Sequence, residues 1–462
     1  MISSLKNIFS IPDLRKRVIF TFLLLAVYRI GAHIPTPGVN GAAVAEFFDQ
    51  AKGTVFGFFD LFTGGALRQL TVFSLGIMPY ISASIILQLL TVVWPYLERL
   101  SKEGEVGRKK ITQYTRYGTV ILSVIQSSAI GFALEKAQSP SGMAMVSQPG
   151  WSFRLMTVLT LTTGTAFIMW LGEQISERGI GNGISLIIFA GIVVRLPEAV
   201  LETFSDISTG SMSPLKLLFL MVLMLGIVAF IIFVERGQRR IPVSYAKRVM
   251  GRRIYGGQST HLPLRVNTGG VIPIIFAAAI VMIPQSLATL FQNRFPALSS
   301  FAAIFNYGEP IYNLLYVVAI IFFCYFYTAI IFNPIDVADN MRKYGGFIPG
   351  IRPGKRTADH IDHVLSRITF VGAIYLAIIA VLPQFMMTGL KVQSLPWIGA
   401  WLDANLPAWF SEGLGVKFFF GGTSLLIVVG VAMDTMQQVE AQLVMRHYDG
   451  FLKKVRVRGR RG

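Results

Sequence analysis

A single cysteine, Cys324, occurs in 462 residues, and it sits inside the apolar stretch FFCYFY. One thiol excludes an internal disulfide and, alone, any cysteine metal cluster, so a buried and inert side chain is expected. Charge is scarce too. Only 14% of residues are Asp, Glu, Lys or Arg, against roughly a quarter in soluble domains. Acid is the rarer sign, 24 residues against 42 basic, for a net charge of +18. Apolar residues make up 53% of the chain and the mean hydropathy is +0.58. A soluble protein of this size is thereby excluded, and a polytopic membrane protein is implied. A cleavable leader is not expected either. Met1 to Arg17 is polar and basic, and the apolar run after it ends in HIPTPG, not in a small-x-small site.

Motifs for chemistry are missing as well. No G-x-x-x-x-G-K-[ST] occurs, and EGEVGRKK at 103–110 has the wrong spacing and no following Ser or Thr. The G-x-G-x-G at 179–183 opens a span with no strand before it, which fits a helix start better than a dinucleotide site. His360 and His363 of DHIDH read as an exposed helix face without a further metal ligand. No nucleophile, base and orienting group can be assembled. The expectation is a non-enzyme with no cofactor and no resident metal, whose driving energy comes from outside.

Hydropathy windows of about 19 residues predict ten spans, at 18–34, 74–94, 117–136, 153–172, 184–201, 215–234, 269–291, 311–332, 368–387 and 417–434. An even number puts both termini on one side. Lys and Arg crowd the head, the loops 95–116, 235–268 and 333–367, and the closing KKVRVRGRRG, so the positive-inside rule makes these cytoplasmic. Such a surface attracts anionic membrane lipid or an acidic partner such as RNA. Apart from Arg29 and Asp434 at the ends of the first and last spans, no charge is expected deep inside a span. Pumps place carboxylates near the midplane for proton relays. The polar residues that do occur, among them Ser82, Ser84, Gln88, Gln126 and Gln285, read as interhelical hydrogen-bonding groups or as the lining of a crevice that is sometimes wet.

Internal repetition is the strongest structural signal. Gly76, Pro79 and Ile81 recur as Gly270, Pro273 and Ile275, both G-x-x-P-x-I at the start of a span. Gly183, Ser185, Leu186, Ile188 and Gly191 of the fifth span recur as Gly422, Ser424, Leu425, Ile427 and Gly430 of the tenth. Two five-span halves follow, and because five is odd the second is inverted in the membrane. The expected domains are 1–203, 204–434 and a basic tail 435–462. Superposed repeats make Ile81 equivalent to Ile275 and Ile188 to Ile427, with Ile77 and Ile184 one turn earlier on the same faces. A ring of such residues offers no ligands to an ion; it closes by dewetting and packing, yet can mould itself around a passing side chain.

One short stretch is anomalous. Asp60, Leu61, Phe62, Thr63, Gly64, Gly65, Ala66, Leu67, Arg68, Gln69, Leu70, Thr71 and Val72 read as a half-length helix running into the second span. At ~1.5 Å per residue it reaches about 20 Å, short of the ~30 Å hydrocarbon slab. With Arg68 facing lipid at midplane it would cost ~2.5–3.5 kcal/mol on insertion scales. A protein-lined wet funnel tolerates it; an interfacial helix lying flat is the other reading. Gly64 and Gly65 would supply a mobile neck.

The stretches TGGALRQ, LGIMPYISASI, QYTRYGT, MWLGEQISERGIGNGISLIIFAGI, VERGQRRIPVSYAKR, QSTHLPLRVN, FNPIDVADNMRKYGGFIPGIRPG and FGGTSLLIVV resemble, in order and over nearly the whole chain, the bacterial SecY family, the large subunit of the Sec protein-conducting channel. The outside loop 391–416 looks longer than the family commonly has, and no role transfers to it. The resemblance implies an all-α polytopic fold with ten transmembrane helices in two inverted halves around a central pore. It implies that residues 60–72 are a plug and that Ile77, Ile81, Ile184, Ile188, Ile275 and Ile427 are the pore ring. A lateral gate would lie between the second and third spans and the seventh and eighth, with Ser82, Gln88, Gln126 and Ile283 as candidates for tuning it. Arg240, Arg252, Arg253 and Arg352, on the two basic loops, would dock partners. Implied partners are the small subunits SecE and SecG, the SecA ATPase, the ribosome with its RNA and proteins, signal sequences and nascent polypeptides. The implied location is the bacterial cytoplasmic membrane. A secondary transporter for a neutral solute would share the architecture but needs a polar midplane pocket, and an intramembrane enzyme needs a buried catalytic pair.

Overall fold

A computed structural model of the chain describes residues 11–50, 60, 63–136, 141–210, 213–245, 248–250, 253–255, 260–278, 280–281, 309–389 and 422–454. They fall into two compact units, Met1–Ser205 with Val431–Gly462, and Asp206–Gly430.

The first unit is built from α1 (Pro12–Gly31), α2 (Gly41–Gln50), α3 (Met78–Val93), α4 (Pro95–Lys102), α5 (Glu105–Lys136), α6 (Trp151–Arg178), α7 (Gly183–Val194) and most of α8 (Leu196–Ser208). Proline stands in the first turn of α1, α3 and α4, where its missing N–H has no helical partner to lose. Pro95 also holds Trp94 extended, so α3 and α4 meet at a 99° bend. Asn182 starts α7 by accepting from the N–H groups of Ile184 and Ser185.

A small-residue stripe joins α5 to its neighbours. Thr115, Thr119, Ser123 and Ser127 are buried one turn apart, and their hydroxyls donate to carbonyls of their own helix. Satisfied that way, they let helices approach closely where larger side chains would not. At Gly118 an added Cβ would meet Ala83 of α3 at 3.4 Å.

The second unit contains α9 (Pro214–Arg236), α10 (Pro310–Ile331), α11 (Pro334–Lys343), α12 (Lys355–Thr388) and the start of α13 (Gly422–Lys454). The two basic loops are not irregular, and the chain is not all-α. Strands β1 (Gln238–Tyr245) and β4 (Thr260–Arg265) form an antiparallel ribbon in which Gln238 pairs with Arg265 and Val243 with Thr260, and the short strands β2 (Arg248–Met250) and β3 (Arg253–Tyr255) between them pair with each other as a separate hairpin. Strand β5 (Gly346–Phe347), from the second loop, pairs with the end of β1. Alternation explains the ribbon: Ile241 and Val243 of β1 are buried while Arg240 and Pro242 are exposed. Ile241, Leu264, Ile348 and Ile361 form a small core under the loops.

Six helices are long and apolar enough to cross a membrane, or seven if the bent α3–α4 pair is one span, among the described residues. Ten were expected. The seventh and tenth windows run partly outside the described residues, and α1, though 20 residues long, carries Asp13, Arg15, Lys16, Arg17 and Arg29 and is too charged to count among the six. Other helices overrun their windows. The 32 residues of α5 extend about 48 Å, because Glu105–Arg116 is polar but helix-forming, and hydropathy marks the hydrocarbon-crossing part alone. Leu215, Leu218, Val222, Leu225 and Phe233 of α9 are more than half exposed, a face that suits lipid and no aqueous surface.

Candidate pore ring and plug seat

The two G-x-x-P-x-I motifs adopt the same backbone form. Gly76 has φ +54° and Gly270 has φ +59°, a left-handed conformation that favours glycine, and each turn leads into a helix carrying the proline three residues on. The second pair matches as well. Gly183 and Gly422 are the first residues of α7 and α13. Gly191 and Gly430 are both sites of close approach: the Gly191 Cα lies 2.8 Å from where a Cβ on Gly64 would stand, and a Cβ on Gly430 would meet Val271 at 2.8 Å.

In the first unit Ile77, Ile81 and Ile188 are 5%, 6% and 3% exposed, and Ile184 is half-buried. In the second, Ile427 is 1% exposed and Ile275 half-buried. Ile86, on the same helix as Ile81, is 47% exposed. Burial alone does not single out the ring positions, because Ile85, Ile187 and Ile274 beside them are 4%, 2% and 1% exposed.

Asp60–Val72 is not a half-helix over its described residues, which exclude Leu61 and Phe62. Residues 64–70 form a chain of turns, with Gly64 at φ +67°, Gly65 at φ +88° and Leu70 at φ +42°. Two features displace the helix. The two glycines favour a left-handed reversal, and hydroxyls substitute for the helical ladder: Thr63 donates to the Asp60 carbonyl, and Ser74 and Thr71 donate to that of Ala66. Nor is the glycine pair a loose neck, because Gly64 is wedged against Arg29 and Gly191.

The segment is seated by backbone and charge. Val72 donates to Ile34 O at 2.9 Å and Leu70 O accepts from Thr36 N at 2.9 Å, making an antiparallel bridge with the chain after α1. Tyr28 donates its hydroxyl hydrogen to Thr63 O, and Arg29 donates to Gly64 O. Asp60 Oδ1 accepts from the Arg68 N–H at 2.9 Å, and Asp60 Oδ2 lies 2.9 Å from Arg195 Nη1. Burial pushes the Asp60 carboxyl above the usual carboxylate range, and the Arg195 and Arg68 contacts oppose that shift. Arg68 reaches Glu198 at 3.7 Å.

Arg195 was missed in the sequence. It lies within the apolar window 184–201 that was expected to be free of charge, yet it is 8% exposed at the break between α7 and α8. The available signal was an arginine in an apolar run followed by Leu196-Pro197.

Of the gate candidates, Ser82 and Gln88 on α3 and Gln126 on α5 are half-buried, and Gln88 Nε2 donates to Ser84 at 3.4 Å. Ile283 and Gln285 lie outside the described residues, as does the loop 391–416. Among the docking candidates Arg240 and Arg352 are exposed, Arg253 is in β3, and Arg252 lies outside the described residues. Arg352 stands between Gly350 at φ +83° and Gly354 at φ +107°, with its carbonyl accepting from the Thr357 hydroxyl.

Comparison with known proteins places this geometry in a family. A family model described as SecY matches residues 71–436. The chain is 49% identical over 449 residues to the protein translocase subunit SecY of Escherichia coli K12, covering 97% of this chain and 96% of that one. To the subunit of the same name from Thermotoga maritima it is 44% identical over 466 residues, with full coverage of both. Among solved structures, one described as a protein conducting channel aligns with a TM-score of 0.60 at 18% identity over 93% of this chain and 92% of its own. Sec61 from a canine ribosome-channel complex aligns with a TM-score of 0.54 at 18% identity, covering 93% and 92%. The structural likeness at that identity speaks for the fold, and the sequence likeness goes further: this chain belongs to the SecY family.

Proposed function

We propose that this chain is the central subunit of a protein translocation channel, which passes unfolded polypeptides across a membrane and releases signal sequences and membrane segments sideways into lipid. The observation that carries the reading is the 44–49% identity, over nearly its full length, to proteins named protein translocase subunit. The mechanism follows from apolar chemistry. Six isoleucines, Ile77, Ile81, Ile184, Ile188, Ile275 and Ile427, close an empty pore by excluding water, and their branched ends pack around a threaded chain whatever its sequence. Residues 60–72 plug that pore. A signal sequence is an apolar helix, so a seam opening beside α3 and α5 lets it leave for hydrocarbon, driven by burial of its surface; Ser82, Gln88, Gln126 and Ile283 tune that seam.

The halves 1–203 and 204–434 enclose the pathway as inverted repeats of five spans, and 435–462 is a basic tail. The matching left-handed turns at Gly76 and Gly270 support that plan. The ribbon and its neighbouring loop, with Arg240, Arg252, Arg253 and Arg352, face the cytoplasm of a bacterium and receive the ribosome or the SecA ATPase. SecE and SecG complete the channel, and anionic lipid meets its basic face. Two structure neighbours, Sec61 and yeast Ssh1, are described in ribosome complexes, which supports the ribosome among these. Reconstitution with those partners should export a signal-bearing chain in an ATP-dependent assay; no export from a fully assembled complex would overturn the proposal.

A further inference from the structure

A charge pair with almost no access to solvent holds the 60–72 segment. The Asp60 side chain is 6% exposed and that of Arg195 is 9% exposed, with 2.9 Å between Oδ2 and Nη1. Asp60 is 135 residues from Arg195 in sequence, so nothing local makes the pair form. Its position matters. Arg195 is the C-terminal cap of α7, and the same helix carries Ile184 and Ile188 two to three turns earlier. A helix moves as a rigid rod, so pressure on Ile188 is carried to Arg195. The second carboxylate oxygen takes the Arg68 N–H, which ties the far end of the turn to the same acid.

We infer that Asp60 and Arg195 form a releasable electrostatic latch that holds the 60–72 segment seated and sets how readily the channel opens; the inference rests on reading that segment as the plug. The physics of buried ion pairs explains why charges suit this task. Coulomb attraction in the closed state is largely cancelled by the desolvation of both ions, so separating them into a wet pore returns their hydration and costs little. An apolar contact of the same size gains no such compensation and holds harder. Removing one partner is different, because the other charge stays buried and loses its nearest counter-charge, which opposes the closed state strongly. The latch is therefore specific in position and cheap to release, which a gate that opens for every client requires. The exposed Arg68 to Glu198 contact at 3.7 Å is a minor addition, as surface pairs usually are.

The test is basal ion conductance of the full chain, purified with its co-purifying subunits, in planar lipid bilayers. Four variants are compared: Arg195→Met, Asp60→Leu, the double variant, and a chain lacking residues 60–72. Each single variant should raise the leak by about tenfold or more, as the loss of a buried counter-charge implies. The double variant should return to wild-type leak or below, and should slow export of a client with a weakly apolar signal. Asp60→Asn, which changes charge without volume, repeats the single-variant measurement if Arg195→Met does not accumulate. Wild-type leak in the single variants beside a leaky deletion would overturn the latch and leave the plug standing. A double variant as leaky as the singles would also overturn it. A deletion that does not leak would overturn the plug reading, and the latch with it.

Discussion

At Gly64 a methyl group has nowhere to go. Its φ of +67° favours glycine, and a Cβ there would lie 2.8 Å from both Arg29 Nη1 and Gly191 Cα. Gly64→Ala should therefore cost about 1–2 kcal/mol for the left-handed backbone and more for the overlap, and the seated segment should loosen. Basal conductance in bilayers should rise, whereas Gly65→Ala, which meets nothing within 4 Å, should cost the backbone term alone and leak less. Ile188 offers a second test. Ile188→Asn places an amide where the native side chain is 3% exposed; an unpaired buried amide costs about 1–3 kcal/mol, and the amide invites water into the ring. Ion leak without loss of protein in the membrane is the expected result. These two positions were legible in different degrees. Ile188 came from the repeat, because the same residue type recurs at the same spacing. Gly64 was marked as a glycine of consequence but for the wrong property, since sequence shows freedom of φ and not what packs against it. Arg195 was not legible by hydropathy, because nine of the twelve residues of α7 that precede it are apolar and outweigh one charge in any window average.

Elements divide the same way. The starts of α3 and α7 could be read directly, from the G-x-x-P-x-I motif and from the G-x-G-x-G run at 179–183. The length of α5 could not, since its polar first turns are as helical as its apolar ones. The basic loops were read as docking surfaces, while the β-ribbon went unnoticed, because Ile241 and Val243 alternate with exposed neighbours over too short a run to stand out. That ribbon makes its own predictions. Ile241 belongs to the small core with Leu264, Ile348 and Ile361, so Ile241→Ala should remove about 2–5 kcal/mol from the loop fold and expose 235–268 to limited proteolysis while the spans remain protected. Arg352 is exposed on a loop fixed by turns on both sides. Arg352→Glu should leave that loop folded and channel assembly intact but reduce SecA-driven export several-fold; wild-type export by this variant would remove Arg352 from the docking surface.

For the molecule as a whole, the repeat is what makes a pore legible from residues that are individually ordinary. An isoleucine in a membrane helix is most often packing, and a buried one is no evidence of a channel. Six of them become a hypothesis because Gly76 and Gly270, then Gly183 and Gly422, set equivalent helix starts in the chain. The inverted plan needed, besides the repeat, a count of five spans per half, and a count is fragile wherever a helix bends, as α3 and α4 do by 99°. The most direct test is to place a photoreactive amino acid at Ile81, Ile188, Ile275 and Ile427 in turn, arrest a client halfway through the channel, and irradiate. All four positions should crosslink to the client, while Ile86 on the exposed face of α3 should crosslink to lipid; capture of lipid alone at the four ring positions would contradict the account.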